Sequence, residues 1–426
     1  MARKMKDSGI EWIGEIPEGW SKNKVIRLFD IIGSGTTPKN ITSDFPVVNW
    51  IQSGDITGSF MPTCKNVISA NLLSQYSALK VYPAPFIIIA MYGASVGNAS
   101  ISLIDGCVNQ ACCVLSSPSC NLHYAFYVIK SAQSYLVRKA VGGGQPNISQ
   151  ETIKQLWLPL PPLSTQDIIV RNLDATCSKI DDLLSSVHAS IEEYKKLKQA
   201  VITLAVTKGV RGEREMKDSG VEWIREIPVD WEISRIKYVS IFEPSCDFKK
   251  LTPETIITYS PMECIKNGTF ERRTSLYGNL AHTLTPFQNG DIVMAKVTPC
   301  FENGNIAIMN ELQSGYGLGS SELFVFRPQN INTRYLFYWL QNKLFVHQAC
   351  ATMTGTGGLK RISPSFVKNC NIHYPSAAEQ AQIAAYLDAK CAEIDGLIAK
   401  KEQLVKELES YKKSLIYEVV TGKREV

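Results

Sequence analysis

Long apolar runs are missing from this 426-residue chain. The longest strongly apolar stretch, Phe86–Ala90, falls far short of the roughly 20 residues that a membrane-spanning helix needs, so no membrane partner is expected. MARKMKDSG leads into no apolar segment of the kind found in secretory leaders. Only five histidines occur, and none forms H-x-x-x-H or stands beside C-x-x-C, which argues against a zinc site. G-x-x-x-x-G-K-[ST] and G-x-S-x-G are both absent, and Gly33-Ser34-Gly35 lacks the rest of a dinucleotide fingerprint. The Asn/Asp-Pro-Pro-aromatic tetrapeptide expected of an amino-methyltransferase is also absent. The only Pro-Pro lies in LPLPPLS, Leu158–Ser164. The chain is therefore expected to be neither an enzyme nor a binder of its own cofactor. Charge of one sign is lacking as well: 45 Lys and Arg stand against 40 Asp and Glu, and a net +5 cannot choose between nucleic acid and protein partners. The 12 cysteines are scattered without C-x-x-C spacing, which predicts reduced, mostly buried thiols and a cytoplasmic protein.

What the chain does contain, it contains twice. MKDSGIEWIGEIPEGW (Met5–Trp20) returns as MKDSGVEWIREIPVDW (Met216–Trp231), 211 residues later, with 12 of 16 positions identical. YAFYVI (Tyr124–Ile129) answers YLFYWL (Tyr335–Leu340) at the same shift, and LDATCSKID (Leu173–Asp181) answers LDAKCAEID (Leu387–Asp395) at 214. Gly-rich runs precede an Ile-Ser pair in both copies, at Gly142–Ser149 and Gly355–Ser363. Between these landmarks residues 36–80 and 247–285 do not align, as in a duplicated scaffold that carries two different specificities.

Each copy ends in a charged, periodic tail. Ile383, Leu387, Ile394, Leu397, Leu404, Leu408, Tyr411 and Leu415 recur at alternating steps of three and four once Lys390 and Lys401 fill two gaps, the coiled-coil period. The equivalent stripe in the first tail is Ile169, Leu173, Ile180, Leu183, Val187, Tyr194, Leu197 and Val201. No proline interrupts either run; Pro162 and Pro375 precede them, and Gly209 and Gly422 follow. A lone amphipathic helix of this length cannot bury its own seam, so the two tails are expected to pair, and antiparallel pairing would suit the chain order. Paired carboxylates such as Asp181–Asp182 read as solvated faces. The globular parts read as strand-rich, with VVNWIQSGDI, FIIIAM, VNQACCVL and LWLPL in the first copy and DIVMAKV, NIAIM and ELFVFRP in the second. Leu122–Val137 and Thr333–Cys350 have helical length. The expected fold is α+β: domain 1 over 1–160, helix 1 over 161–215, domain 2 over 216–376 and helix 2 over 377–426.

These motifs, K-D-S-G-[IV]-E-W-I-x-E-I-P-x-x-W, the Gly-rich loop with Ile-Ser, and L-D-x-x-C-x-x-I-D, resemble those of the specificity subunit of type I restriction–modification systems, in both halves and in the family's order. The resemblance implies two target recognition domains, each reading one half of a split DNA site. It also implies that the helices form an antiparallel spacer that docks two modification subunits. Those partners would hold S-adenosylmethionine and methylate adenine N6, while restriction subunits would use ATP and Mg to translocate and cut. Two other readings stay open: a stand-alone bipartite DNA-binding protein, and a coiled-coil adaptor that never meets DNA.

Charge supports DNA contact only weakly. Residues 1–160 carry 13 basic and 9 acidic side chains, residues 216–376 carry 16 and 14, and the tails carry 16 and 17. Candidate contacts sit in polar loops, where Arg or Lys suits guanine, Asn or Gln suits adenine, and Ser, Thr and Lys suit phosphate. They are Thr36, Thr37, Lys39, Gln52, Lys65, Asn66, Gln145 and Asn147 in the first copy. In the second they are Lys249, Lys250, Arg272, Arg273, Lys296, Lys360 and Arg361.

Overall fold

Both tails fold as single uninterrupted helices, Leu163–Lys208 and Ala377–Val420. Each stops at a glycine with positive φ, Gly209 at +81° and Gly422 at +73°, the left-handed conformation that closes a helix at little steric cost. A β-carbon at Gly422 would also collide with the Pro17 ring. The computed structural model describes residues 3–39, 41, 44–142, 144–249, 251–281, 283–355 and 359–426.

The chain divides into two units, and the division falls within the helices: Met1–Val187 with Gln403–Val426, and His188–Glu402. In the first unit a five-stranded sheet has the order Ile31–Gly33, Cys112–Ser116, Phe86–Ala90, Ala99–Ser102, Phe60–Met61. Its central strands, β1 (Phe86–Ala90) and β2 (Cys112–Ser116), pair antiparallel with Cys112 opposite Ala90, and every residue of β1 is buried. Cys107–Val108, Val47–Ile51 and Asn66–Ser69 form a second, three-stranded sheet. The second unit has a four-stranded sheet ordered Ser240–Phe242, β4 (Leu323–Pro328), β3 (Ile292–Ala295), Ile306–Ile308. β3 and β4 pair antiparallel with Ala295 opposite Leu323, as β1 and β2 do. A further four-stranded sheet contains Ile256–Ser260. The expected helices over 122–137 and 333–350 each divide in two, into Leu122–Ser131 with Gln133–Lys139 and Thr333–Trp339 with Lys343–Ala351. Asn121 and Asn332 cap the first member of each pair by accepting from the Tyr124 and Tyr335 amides at 3.0 and 3.1 Å.

The same internal contacts recur in the two units. The Tyr124 hydroxyl donates to the carbonyls of Pro159 (2.9 Å) and Val420 (3.2 Å), and the Tyr335 hydroxyl to those of His373 (2.7 Å) and Val206 (3.3 Å). Tyr127 donates to Asp174 at 2.6 Å and Tyr338 to Asp388 at 2.8 Å. In the first unit Ile169, Leu173, Cys177 and Ile180 share a core with Leu415, Ile416, Val419 and Val420. In the second, Ile202, Ala205 and Val206 share one with Ile383, Leu387 and Cys391. The helix segments run antiparallel within each unit. In the first, the end of the C-terminal helix lies at Tyr124 beside Pro159, ahead of the first helix, while Lys412 pairs with Asp181 further along at 2.5 Å. In the second, Lys198 meets Asp395 at 2.6 Å while the Lys401 ammonium lies 5.6 Å from the Tyr194 ring centroid.

The apolar spacing is displaced by one residue along part of the seam. Ile169, Leu173, Ile180, Ile383, Leu387, Ile394 and Leu415 are buried, and Val187, Tyr194, Val201, Leu397 and Leu408 are half-buried. Leu183, Leu197, Leu404 and Tyr411 instead face outward, with 41–54% of their surface exposed. The inward positions nearby are Leu184, Ile191, Lys198, Val405 and Lys412. Two of these are lysines whose stems are covered while the ammonium reaches an aspartate, so a search for apolar residues alone passes over them. Asp181 is accordingly an ion-pair partner of a seam lysine, not only part of a solvated face.

His373 introduces a pH dependence into the second unit. Its Nε2 lies 3.2 Å from the Ser219 carbonyl, which requires the Nε2–H tautomer, and its buried Nδ1 has no partner. Burial lowers its pKa, the Ser219 contact opposes this, and Lys217 adds to the lowering. The unfolded chain therefore takes up a proton near pH ~6.5 that the folded chain still refuses, so stability falls as pH drops through that value and levels off below the folded pKa. Denaturant titrations between pH 7.5 and 5.5 are expected to show this loss in the second unit and its weakening in His373→Gln. The same slope in the variant would assign the effect to other groups.

Candidate nucleic-acid interface

Of the residues expected to contact DNA in the first unit, Thr37, Gln52, Gln145 and Asn147 lie on segments tied to the C-terminal end of β1. The backbone brings them there through a chain of hydrogen bonds. The Asn109 amide donates to Ile51 O (3.1 Å), next to Gln52, and the Met91 amide to Ala111 O (2.8 Å). The Gly93 amide donates to Pro146 O (2.9 Å) and the Ile148 amide to Met91 O (2.9 Å). Thr37 donates to the Gln110 side chain at 2.6 Å, and Thr36 is half-buried beside it. Asp55 organises the neighbouring turn: its carboxylate accepts from the Gln52 amide at 2.9 Å and the Lys65 amide at 3.3 Å. The Lys65 and Asn66 side chains remain exposed. The Lys39 amide donates to the Tyr76 hydroxyl at 3.2 Å. Gln145 and Asn147 stand exposed on the Gly-rich hairpin, where Asn147 bridges both Val141 and Tyr92.

The second unit repeats this arrangement around the end of β3. The Lys296 amide donates to Glu322 O (3.0 Å), the Thr298 amide to Lys360 O (2.9 Å) and the Ile362 amide to Lys296 O (2.9 Å). Arg361 bridges both Thr354 and Val297. Each hairpin begins with a glycine at positive φ, Gly142 at +106° and Gly355 at +139°. A β-carbon there would meet the Gln145 carbonyl oxygen at 2.8 Å in the first hairpin and collide with the Leu359 carbonyl in the second. Gly143 and residues 356–358 lie outside the described residues, as does Lys250.

The arginines here are held in ion pairs. Arg361 donates through Nε and Nη2 to the two Glu322 oxygens at 2.9 and 2.7 Å, and these bonds hold the Glu322 carboxyl below its usual pKa range. The Lys296 ammonium sits 5.7 Å from the Phe324 ring centroid, and Lys360 is exposed. Arg272 and Arg273 lie at an edge strand of the other sheet or beside it: Arg272 pairs with Glu311, and Arg273 reaches Glu271 at 2.9 Å and Glu263 at 3.1 Å. Lys249 is exposed in a turn where its amide donates to Asp247 at 3.1 Å. Sequence reasoning passed over Gln110, Asp55, Tyr92 and Glu322, which orient the candidates; the acidic pair is invisible to a search for basic and amide side chains.

No group of three or more His, Cys, Asp or Glu side chains among the described residues is placed to hold a metal, and no described helix is long and apolar enough to cross a membrane. All 12 cysteines are free, and burial pushes the Cys112 and Cys113 thiols up to about 12, which keeps them protonated.

A pair of duplicated α+β domains, each with a polar hairpin at the end of a central strand and each packed on long antiparallel helix segments, makes up a duplicated two-domain scaffold. The sequence model for the type I restriction modification DNA specificity domain matches residues 17–193 and 228–407, so the chain belongs to that family, whose specificity subunits are non-catalytic. The EcoEI specificity subunit of Escherichia coli is 32% identical over 163 residues, 37% of this chain and 27% of that protein. The EcoAI subunit is similarly matched at 34%, so the chain spans only about a quarter of either relative. The putative MjaX specificity subunit of Methanocaldococcus jannaschii is 26% identical over 96% of this chain and 95% of its own. A solved chain of a type I R-M system shares the fold, with TM-score 0.71 and 15% identity over 95% of this chain and 98% of that one.

Proposed function

We propose that this chain is the non-catalytic DNA-specificity subunit of a type I restriction–modification complex. Residues 1–160 and 216–376 each read one half of a split, asymmetric site, and the helical segments 161–215 and 377–426 set the gap and dock two modification subunits. Those subunits bind S-adenosylmethionine and methylate adenine N6; restriction subunits that use ATP and Mg complete the assembly. The observation that carries this reading is the repetition of one strand-end hairpin with different side chains in the two copies, Gln145 and Asn147 against Lys360 and Arg361. A shared scaffold with unlike readers suits two unlike half-sites, and bases between them need no direct contact.

The test is co-expression with a modification subunit, co-purification, and single-molecule mapping of adenine methylation in the host. A split, asymmetric motif is expected, and it should vanish when the gene for this chain is deleted. Persistence of every methylated motif in the deletion strain would overturn the reading. So would methylation by this chain alone.

A further inference from the structure

We infer that Asn147 and Arg361 are the equivalent base-reading residues of the two domains, Asn147 directed at an adenine in one half-site and Arg361 at a guanine in the other. This rests on the reading above and narrows it to one position per domain.

The equivalence is structural. Each residue closes its Gly-rich hairpin through one bridge, to Val141 or Thr354, and pairs with the segment beyond the central strand through another, to Tyr92 or Val297. Each is followed by an isoleucine whose amide bonds back to that segment at 2.9 Å, Ile148 to Met91 and Ile362 to Lys296. The backbone is thus tied on both sides, while the side chain is left exposed.

The chemistry differs in the way two bases differ. The Asn147 side-chain amide makes no hydrogen bond to any described residue, which leaves a donor and an acceptor side by side for adenine N6 and N7. Arg361 has five N–H donors, and Glu322 occupies one on Nε and one on Nη2. The remaining Nη1 and Nη2 hydrogens lie along the end of the fork, the edge that matches guanine O6 and N7. Glu322 therefore positions the guanidinium rather than cancelling it. A phosphate also accepts a guanidinium fork, so discrimination at a single base position is the readout that separates the two contacts.

The experiment uses the assembled methyltransferase complex and maps methylated motifs genome-wide. Arg361→Ala is expected to relax one G·C position in a single half-site, with discrimination there falling about 5- to 150-fold, while the other half-site stays unchanged. Asn147→Ala is expected to relax one A·T position in the opposite half-site. Arg361→Lys keeps stem and charge but lacks the fork, so it should also relax the G·C position, and it provides a readout should the alanine variant fail to fold. Glu322→Gln leaves only one of the two bonds that position the fork, so it should relax the same G·C position more weakly than Arg361→Ala. Uniform slowing by Arg361→Ala and Arg361→Lys with the consensus unchanged would overturn the inference and leave the specificity role standing. A wild-type motif with no G·C pair in either half-site would do the same. Loss of any link between this chain and a methylated motif would instead overturn the role itself.

Discussion

Deleting Gln403–Val426 is expected to unfold the first unit, although most of that unit lies more than 200 residues away in sequence. The segment supplies Leu415, Ile416, Val419 and Val420, each at most 3% exposed, to the core that holds Trp20, Tyr124 and Leu173. Burying an aliphatic side chain of this size contributes about 1.5–3 kcal/mol. Four of them contribute roughly 6–12 kcal/mol, comparable to the ~5–15 kcal/mol net stability of a whole domain. Polar ties would be lost with them: the Tyr417 hydroxyl and the Lys423 ammonium both donate to the Ile13 carbonyl, at 3.1 and 2.7 Å. Hydrogen exchange provides the measurement. Amides of β1 and β2 should lose protection in the truncated chain, and those of β3 and β4 should keep it. Full protection of β1 after truncation would mean that the domain folds without the C-terminal helix.

Arg214→Ala should cost the second unit about 3–5 kcal/mol, the usual penalty for stranding one member of a buried ion pair. Glu379 has a side chain only 2% exposed, and the Arg214 Nη1 donates to it at 2.5 Å. Arg214 Nη2 also binds Asp230 at 2.7 Å, which ties the residues just beyond the first long helix to both the domain and the start of the second long helix. Among the described residues the other cation near Glu379 is Arg211, whose Nη1 lies 3.7 Å away on a half-exposed side chain. In the Arg214→Ala background, Glu379→Gln should recover part of the loss by removing the uncompensated charge. Chemical denaturation followed as a double-mutant cycle reads both effects. A single-variant loss under ~1 kcal/mol would show that Arg211 replaces the missing partner.

Several features are legible in the chain because they depend on local chemistry. The repeat is visible residue by residue, with Trp20 and Trp231 at equivalent positions and both buried. Both long helices follow from uninterrupted periodicity, since nothing between Leu163 and Lys208, or between Ala377 and Val420, disfavours α-helix strongly enough to end it. FIIIA reads as a buried strand because it is a short apolar run rich in β-branched and aromatic residues, which suits a strand covered on both faces, and β1 is such a strand. The helix break near Ala132 was not legible, because no proline or glycine stands between Leu122 and Lys139 to mark it.

The candidate site was only half visible. The Gly-rich loops stood out in both copies, but not their anchoring to β1 and β3, which depends on backbone hydrogen bonds between residues more than 50 positions apart. Residues 36–80 and 247–285 show no alignment, yet the Asn109 amide bonds to Ile51 O as the Ser320 amide bonds to Ser260 O. Backbone geometry survives side-chain divergence because those bonds use no side chain.

By itself the sequence determined that there are two copies of one unit, that each ends in a long amphipathic helix, and that the motifs are those of a type I specificity subunit. These are patterns of residue type and spacing along one chain. Only the tertiary structure decided that the end of the C-terminal helix completes the core of the first domain, that Lys198 and Lys412 occupy inward seam positions, and that Glu322 holds Arg361. Each of these depends on which distant groups meet. Burial and ion pairing are properties of surfaces brought together, and spacing along the chain does not encode the partner.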